Sequence, residues 1–168
     1  MKLITGHSYG TLLGSEVFQT FIGGIVAFRV LPRPSFSVLQ QSLFPIYFAM
    51  QTALAALLAL THPSSSGSDT LPLFATAHDT TAATSFSVIL VCGFLNWFLV
   101  GPATVRAMRD RKVQETRDGK KYYDPGPKSE EMKLLNKRFG ALHGLSTVIN
   151  LMALGATIYY GFMLGSRL

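Results

Sequence analysis

"LFPIYFAMQTALAALLAL", residues 43–60, carries no charge, and its only strongly polar side chains are Gln51 and Thr52 near the middle. A helix that lies on a soluble core keeps one wet face; this stretch has none. It is close to the roughly 20 apolar residues that a helix needs to cross a hydrocarbon core. A water-soluble helical bundle is therefore excluded here, and the rest of the chain has to be read around a membrane span. Pro45 falls in what would be the first turn of that span, where a missing N–H costs little.

Working outward, three further runs have the length and composition of spans: 9–31, 83–105, which contains "FSVILVCGFLNWFLVG", and 142–164, "LHGLSTVINLMALGATIYYGFML". Composition agrees. The chain has 168 residues, 48% hydrophobic and only 14% charged, against about 25% charged in soluble domains. Between Phe36 and Val105 the only charges are Asp69 and Asp79. The expected fold is an all-α integral membrane protein, one domain over 1–168, with four transmembrane helices. The first run is read as a retained span and not as a cleaved leader, because Glu16 and Gln19 interrupt the apolar stretch a leader would need.

The net charge of +6 would suit a nucleic-acid partner only if the basic residues formed one polar face. They cluster between spans instead, so no nucleic acid is expected. Arg29 and Arg33 lie between the first two spans. Arg106, Arg109, Arg111, Lys112, Arg117, Lys120, Lys121, Lys128, Lys133, Lys137 and Arg138 lie between the last two, and the Ser/Thr-rich loop 61–82 has no basic residue. With four spans both basic connections share a side, which the positive-inside rule makes cytosolic. Both termini are then non-cytosolic. In "FRVLPRPSF" (28–36) Arg29 reaches the interface, and Pro32 and Pro34 stop the first helix before the chain re-enters.

Residues 103–118 lack Gly and Pro, so the third helix is expected to continue into water, with a kink at Pro102. "DPGP" (124–127) breaks it. "SEEMKLLNKRFG" (129–140) starts a new helix, its acidic first turn opposing the dipole, that can run into the fourth span. The result is a basic cytosolic helical hairpin over 106–141. Eleven basic against six acidic residues leave it at +5, suited to anionic lipid headgroups or an acidic partner.

Glu16 is the most informative single residue. The apolar run after it, 17–28, is about 18 Å long at 1.5 Å per residue, too short for a core of about 30 Å. Glu16 is thus submerged, and an acidic group there should face protein or water. Glu16, Gln19, Thr20, Gly23 and Ala27 share one helix face, away from Phe18, Phe21, Ile22, Ile25 and Phe28. Gln51, Thr52, Ser87 and Tyr159 or Tyr160 lie at matching depth. The fourth span carries a polar stripe of His143, Ser146, Thr147, Asn150 and Thr157, and the third carries Asn96. Such residues can serve either as interhelical hydrogen bonds or as a polar path for an ion or small solute, though His143 lies towards the cytosolic end, far from Glu16.

Gly10 and Gly14, Gly140 and Gly144, and Gly161 and Gly165 have the small-xxx-small spacing of close helix contacts, and Gly23 lies on the Glu16 face. Cys92 is the only cysteine, which excludes an internal disulfide. With the six methionines it gives no metal-ligand spacing. No phosphate loop, dinucleotide fingerprint or catalytic triad is legible. The expectation is no enzyme, no cofactor and no metal.

The phrases "GGIVAFRVLPRPSFSVLQQSLFPIYF" (23–48), "NWFLVGPATVRAMRDRKVQE" (96–115) and "LNKRFGALHGLSTVINLMALGATIYYGF" (135–162) resemble the transmembrane protein 205-like family, in the manner of its fungal members. The likeness covers about residues 9–168, with Phe18 where the family tends to have tryptophan and a longer loop over 63–81. The resemblance implies a four-span protein of the endomembrane system or plasma membrane, a mitochondrial membrane being compatible with it. A link of the human relative to platinum-drug resistance points to transport or secretion and supplies no catalytic residue. The expected function is a non-catalytic interaction or structural component, self-associating or part of a membrane complex. The alternative is a solute, ion or metal transporter using the intramembrane polar residues.

Overall fold

The computed structural model of the protein describes residues 2–62 and 79–166. Most of the Ser/Thr-rich loop, with Asp69, and Arg167 lie outside the described residues. Helix α1 (Lys2–Val17) passes through a π-helical turn, Phe18–Gly23, into α2 (Gly24–Val30). Helix α3 is Arg33–Thr61. Helix α4 (Thr80–Phe94) passes through a second π turn, Leu95–Val100, into α5 (Gly101–Asp118), and α6 is Glu130–Gly165. Four continuous helices, Leu3–Val30, Arg33–Thr61, Thr80–Asp118 and Glu130–Gly165, are long and apolar enough to cross a membrane.

Three points differ from the sequence reading. The first helix begins well before Tyr9. The second begins at Arg33, not Leu43, so the connection shrinks to Leu31 and Pro32. Leu31 is extended (φ −92°, ψ 143°), as a residue before proline prefers. Pro34 does not stop a helix; it sits in the first turn of α3, where its fixed φ helps and no N–H is needed. The third correction concerns Pro45. It lies inside α3, so the Gln41 carbonyl loses its usual donor four residues on, a cost that spans tolerate when neighbouring groups re-satisfy the backbone.

Pro102 follows directly on a π turn. Gly101 N–H donates to the Asn96 carbonyl, five residues back, and the wider turn gives room for the proline ring, which would otherwise press on the carbonyl four residues before it. A Cβ at residue 101 would collide with that Asn96 carbonyl, which requires glycine.

Each long helix packs against its neighbours in sequence, and α6 closes the ring onto α1. Leu12, Ala55, Leu58, Phe86, Ile89, Ala153 and Tyr160 form the interior. Gly161 admits Tyr9, whose ring and hydroxyl occupy the place of a Cβ there. Outward faces are apolar: Phe18, Phe21, Ile25 and Phe28 are all exposed, and Phe162 is 78% exposed. Large apolar groups outside and a carboxyl inside reverse the soluble pattern. At 1.5 Å per residue the last two helices are roughly 55 Å long, well beyond a hydrocarbon core of about 30 Å. The excess forms the hairpin of α5 and the start of α6.

Candidate functional site

The Glu16 carboxyl is the centre of the buried polar groups. Its side chain is 0% exposed. Gln51 Nε2, from α3, donates to Glu16 Oε1 at 2.7 Å. Tyr47, one turn earlier on α3, donates to Asn150 Oδ1 of α6 at 2.7 Å, and Asn150 Nδ2 donates to Thr20 Oγ1 in the first π turn at 2.9 Å. Three helices are thereby joined at one depth. Thr157 is also beside the carboxyl, but its hydroxyl proton goes to the Ala153 carbonyl at 3.0 Å. Glu16 Oε2 and Gln51 Oε1 are buried without a hydrogen-bond partner.

Of the other intramembrane candidates, Gln19 is buried beside this cluster on the π turn, with Nε2 unpaired. Asn96 is fully buried on the second π turn and donates to the Ser146 carbonyl at 3.2 Å, tying the third helix to α6. His143 is separate: it is exposed and stacks on Phe139 with ring centroids 5.7 Å apart. Thr147 is exposed and returns its hydroxyl to the His143 carbonyl, so the expected stripe on α6 is two faces. Thr52 bonds its own helix at the Phe48 carbonyl, and Ser87 and Tyr159 are exposed.

The glycines divide too. A Cβ at Gly10, Gly14, Gly140, Gly144 or Gly165 would meet nothing within 4 Å, whereas Gly161 abuts Tyr9 and Gly23 abuts Phe18 of its own turn. Inside the chain, close approach at Gly161 uses one member of one motif. The remaining members face outward.

A second polar knot went unread in the sequence. At the end of the bundle away from the basic residues, Thr5 donates to the Thr61 carbonyl at 2.6 Å. His62 Nε2 lies 3.3 Å from Asp79 Oδ2 and its Nδ1 lies 3.2 Å from the Tyr160 hydroxyl. Asp79 Oδ1 also caps α4 by accepting from Thr81 N and Ala82 N.

At the basic end, Gly119 ends α5 in the left-handed region (φ 60°), and Ser129 caps α6 by accepting from Met132 N. The Arg111 guanidinium lies between the rings of Tyr122 and Phe139, 3.8 and 4.3 Å from their centroids. Burial pulls its pKa below the usual arginine range, opposed by Tyr122 and Glu115. It remains a cation, as arginine does in proteins. Arg138 approaches Asp110 at 3.6 Å. Arg29, Arg106, Arg109 and Lys137 are exposed.

Residues 7–113 match the family described as a domain of unknown function, DUF4149. The chain belongs to the DUF4149 family. The matched part of this DUF4149 protein holds Glu16, Gln51, Asn96 and the arginines up to Arg111, while Asn150 lies beyond it. The protein is also similar to xanthocillin biosynthesis cluster protein D of Aspergillus fumigatus, at 33% identity over 168 residues, covering 96% of this chain and 86% of that one. No solved structure matches.

Proposed function

We propose that this protein is a non-catalytic multi-pass membrane component that acts through association, with copies of itself or inside a larger membrane complex. The observation that carries this reading is the closed setting of Glu16, 0% exposed and bonded to Gln51 of the neighbouring helix. A carboxyl enclosed by protein that accepts from the next helix works as a fastener. The outward glycines at 10, 14, 140 and 144 support association, since they leave open space that a second helix backbone can use. The likeness to transmembrane protein 205-like proteins, fungal ones above all, supports residence in the endomembrane system or plasma membrane with the basic hairpin in the cytosol. A biosynthesis-cluster relative suits a component that accompanies the making or handling of a small molecule at a membrane.

A second reading, a transporter of small solutes or ions, is favoured by the unpaired oxygens Glu16 Oε2, Gln51 Oε1 and Asn96 Oδ1. Polar atoms left open in a membrane interior are where a translocated species would bind. One experiment separates the two. Purified protein is reconstituted, its flux of protons and divalent metals is recorded, and its cross-linked oligomers are counted. The first reading expects no flux and loss of oligomers in Gly140→Leu and Gly144→Leu. Flux in the unaltered protein that disappears in Glu16→Gln would overturn it in favour of the second.

A further inference from the structure

We propose that the cleft between the first turns of α3 and the basic hairpin is a binding site for the phosphate of an anionic phospholipid headgroup. The cleft has a volume of about 230 Å³, and its polar lining includes Arg33, Ser37, Arg109, Arg111 and Lys112. Against these four cations its lining holds one acid, Glu115, leaving a formal charge of +3. Glu115 is already engaged: Oε2 takes Lys112 Nζ at 2.8 Å and Oε1 takes Tyr122 N at 3.2 Å.

Arg111 is the residue that asks for a ligand. It is 8% exposed, pinned between two rings, and takes part in no ion pair among the described residues. Its Nε is buried without an acceptor. A buried cation with an open donor is costly to maintain, and a phosphate oxygen is the acceptor that arginine geometry suits best. The α3 N-terminus adds to this. Its N-cap, Pro32, supplies no side-chain acceptor to the first turn. Pro34 has no N–H and Phe36 N bonds the Pro32 carbonyl, so the Arg33 and Ser35 N–H groups and the dipole are what favour an anion there. Arg33 is held in place by the Phe28 ring, 3.6 Å away.

Position selects a lipid over a soluble phosphate. The cleft lies where α3 leaves the membrane on the basic side, and Val38 and Met108 form its apolar wall. Val38 and Ile46, about two turns apart on α3, are 64% and 66% exposed, a track for an acyl chain below the headgroup. Basic pockets between helices at the cytoplasmic surface suit such headgroups. The inference needs the chain to sit in a membrane but is independent of what Glu16 does.

The test is native mass spectrometry of the full chain in a neutral detergent, with dioleoylphosphatidylserine and dioleoylphosphatidylcholine in equal amounts. One retained phosphatidylserine is expected. Arg33→Gln and Arg109→Gln should each weaken retention about five-fold, the weight of one basic residue near a charged surface. Arg111→Gln should weaken it further, and Arg117→Gln, outside the cleft lining, should leave it unchanged. Equal retention of phosphatidylcholine, or equal loss in Arg117→Gln, would overturn the site. Displacement by excess inorganic phosphate would assign the cleft to a soluble anion and overturn the lipid. Should Arg111→Gln fail to fold, the Arg33 and Arg109 variants still decide.

Discussion

Glu16 keeps its place through one short hydrogen bond, and the donor, Gln51 Nε2, has no comparably short alternative: Asn150 Oδ1 is 3.5 Å away. Glu16→Ala therefore strands a buried donor, and the expected loss is about 1–3 kcal/mol. Glu16→Gln keeps an acceptor oxygen and should cost under about 1 kcal/mol, in line with intramembrane hydrogen bonds. Unfolding midpoints in detergent read both, and equal losses would show that the contact is not a hydrogen bond that matters. At Gly161 the Tyr9 hydroxyl and ring occupy the Cβ position. Gly161→Ala should cost about 1–3 kcal/mol by overpacking, and Tyr9→Phe in the same chain should recover part of it. For this reason a large residue at 161 tests folding, whereas one at 140 or 144 tests association. The burial of Glu16 against protein was legible because the run after it is too short to span alone, and its partner Gln51 because the second apolar run offers almost no other polar group. Tyr47 was not, since a tyrosine in an apolar run looks like packing until its hydroxyl meets Asn150. His62 and Asp79 sit just outside apolar runs and look like loop residues; only the folded ring of helices brings them to Tyr160.

At the scale of elements, the four long apolar helices were legible and their ends were not. Hydropathy locates hydrocarbon, but helix continues through interface and water wherever Gly and Pro are absent, as in 103–118. Prolines carry the ambiguity: Pro32 precedes a helix, Pro34 starts it, Pro45 is inside it, and Pro102 follows a π turn, and each reads alike in sequence. The π turns bear Gln19 and Asn96. Nothing in a 3.6-residue pattern announces such turns. The hairpin is easier to test, because its joints are local. Gly119 occupies the left-handed region, so Gly119→Ala should cost about 1–2 kcal/mol. Ser129 Oγ donates to Asp118 Oδ2 at 2.7 Å and accepts from Met132 N at 3.1 Å, so Ser129→Ala opens the hairpin's base and uncaps α6 at a cost of about 1 kcal/mol. Hydrogen exchange should show both losses in amides around 115–135 and leave the 145–160 amides protected. Loss of protection throughout α6 would mean that hairpin and span unfold as one unit.

For the whole molecule, the ring of four antiparallel helices fixes one relation that no local contact can alter: the hairpin and the Leu31–Pro32 connection share an end, and Thr61 and Thr80 share the other. The distribution of basic residues predicts a direction for that geometry, with the hairpin end cytosolic, since lysine and arginine close to spans tend to be retained on that side. Cys92 makes the direction measurable, because the only thiol in the sequence is buried and should stay silent. Arg117→Cys and Thr80→Cys each place a thiol at an exposed position at opposite ends of the third helix. In sealed vesicles with the cytosolic face outward, a membrane-impermeant maleimide should label Arg117→Cys at once and Thr80→Cys only after permeabilisation. The reverse order would keep the bundle and invert its orientation, removing the hairpin from the anionic leaflet. Labelling of both thiols from one side would be incompatible with a third helix that crosses the membrane, and with it the burial of Glu16 among helices in hydrocarbon would lose its basis.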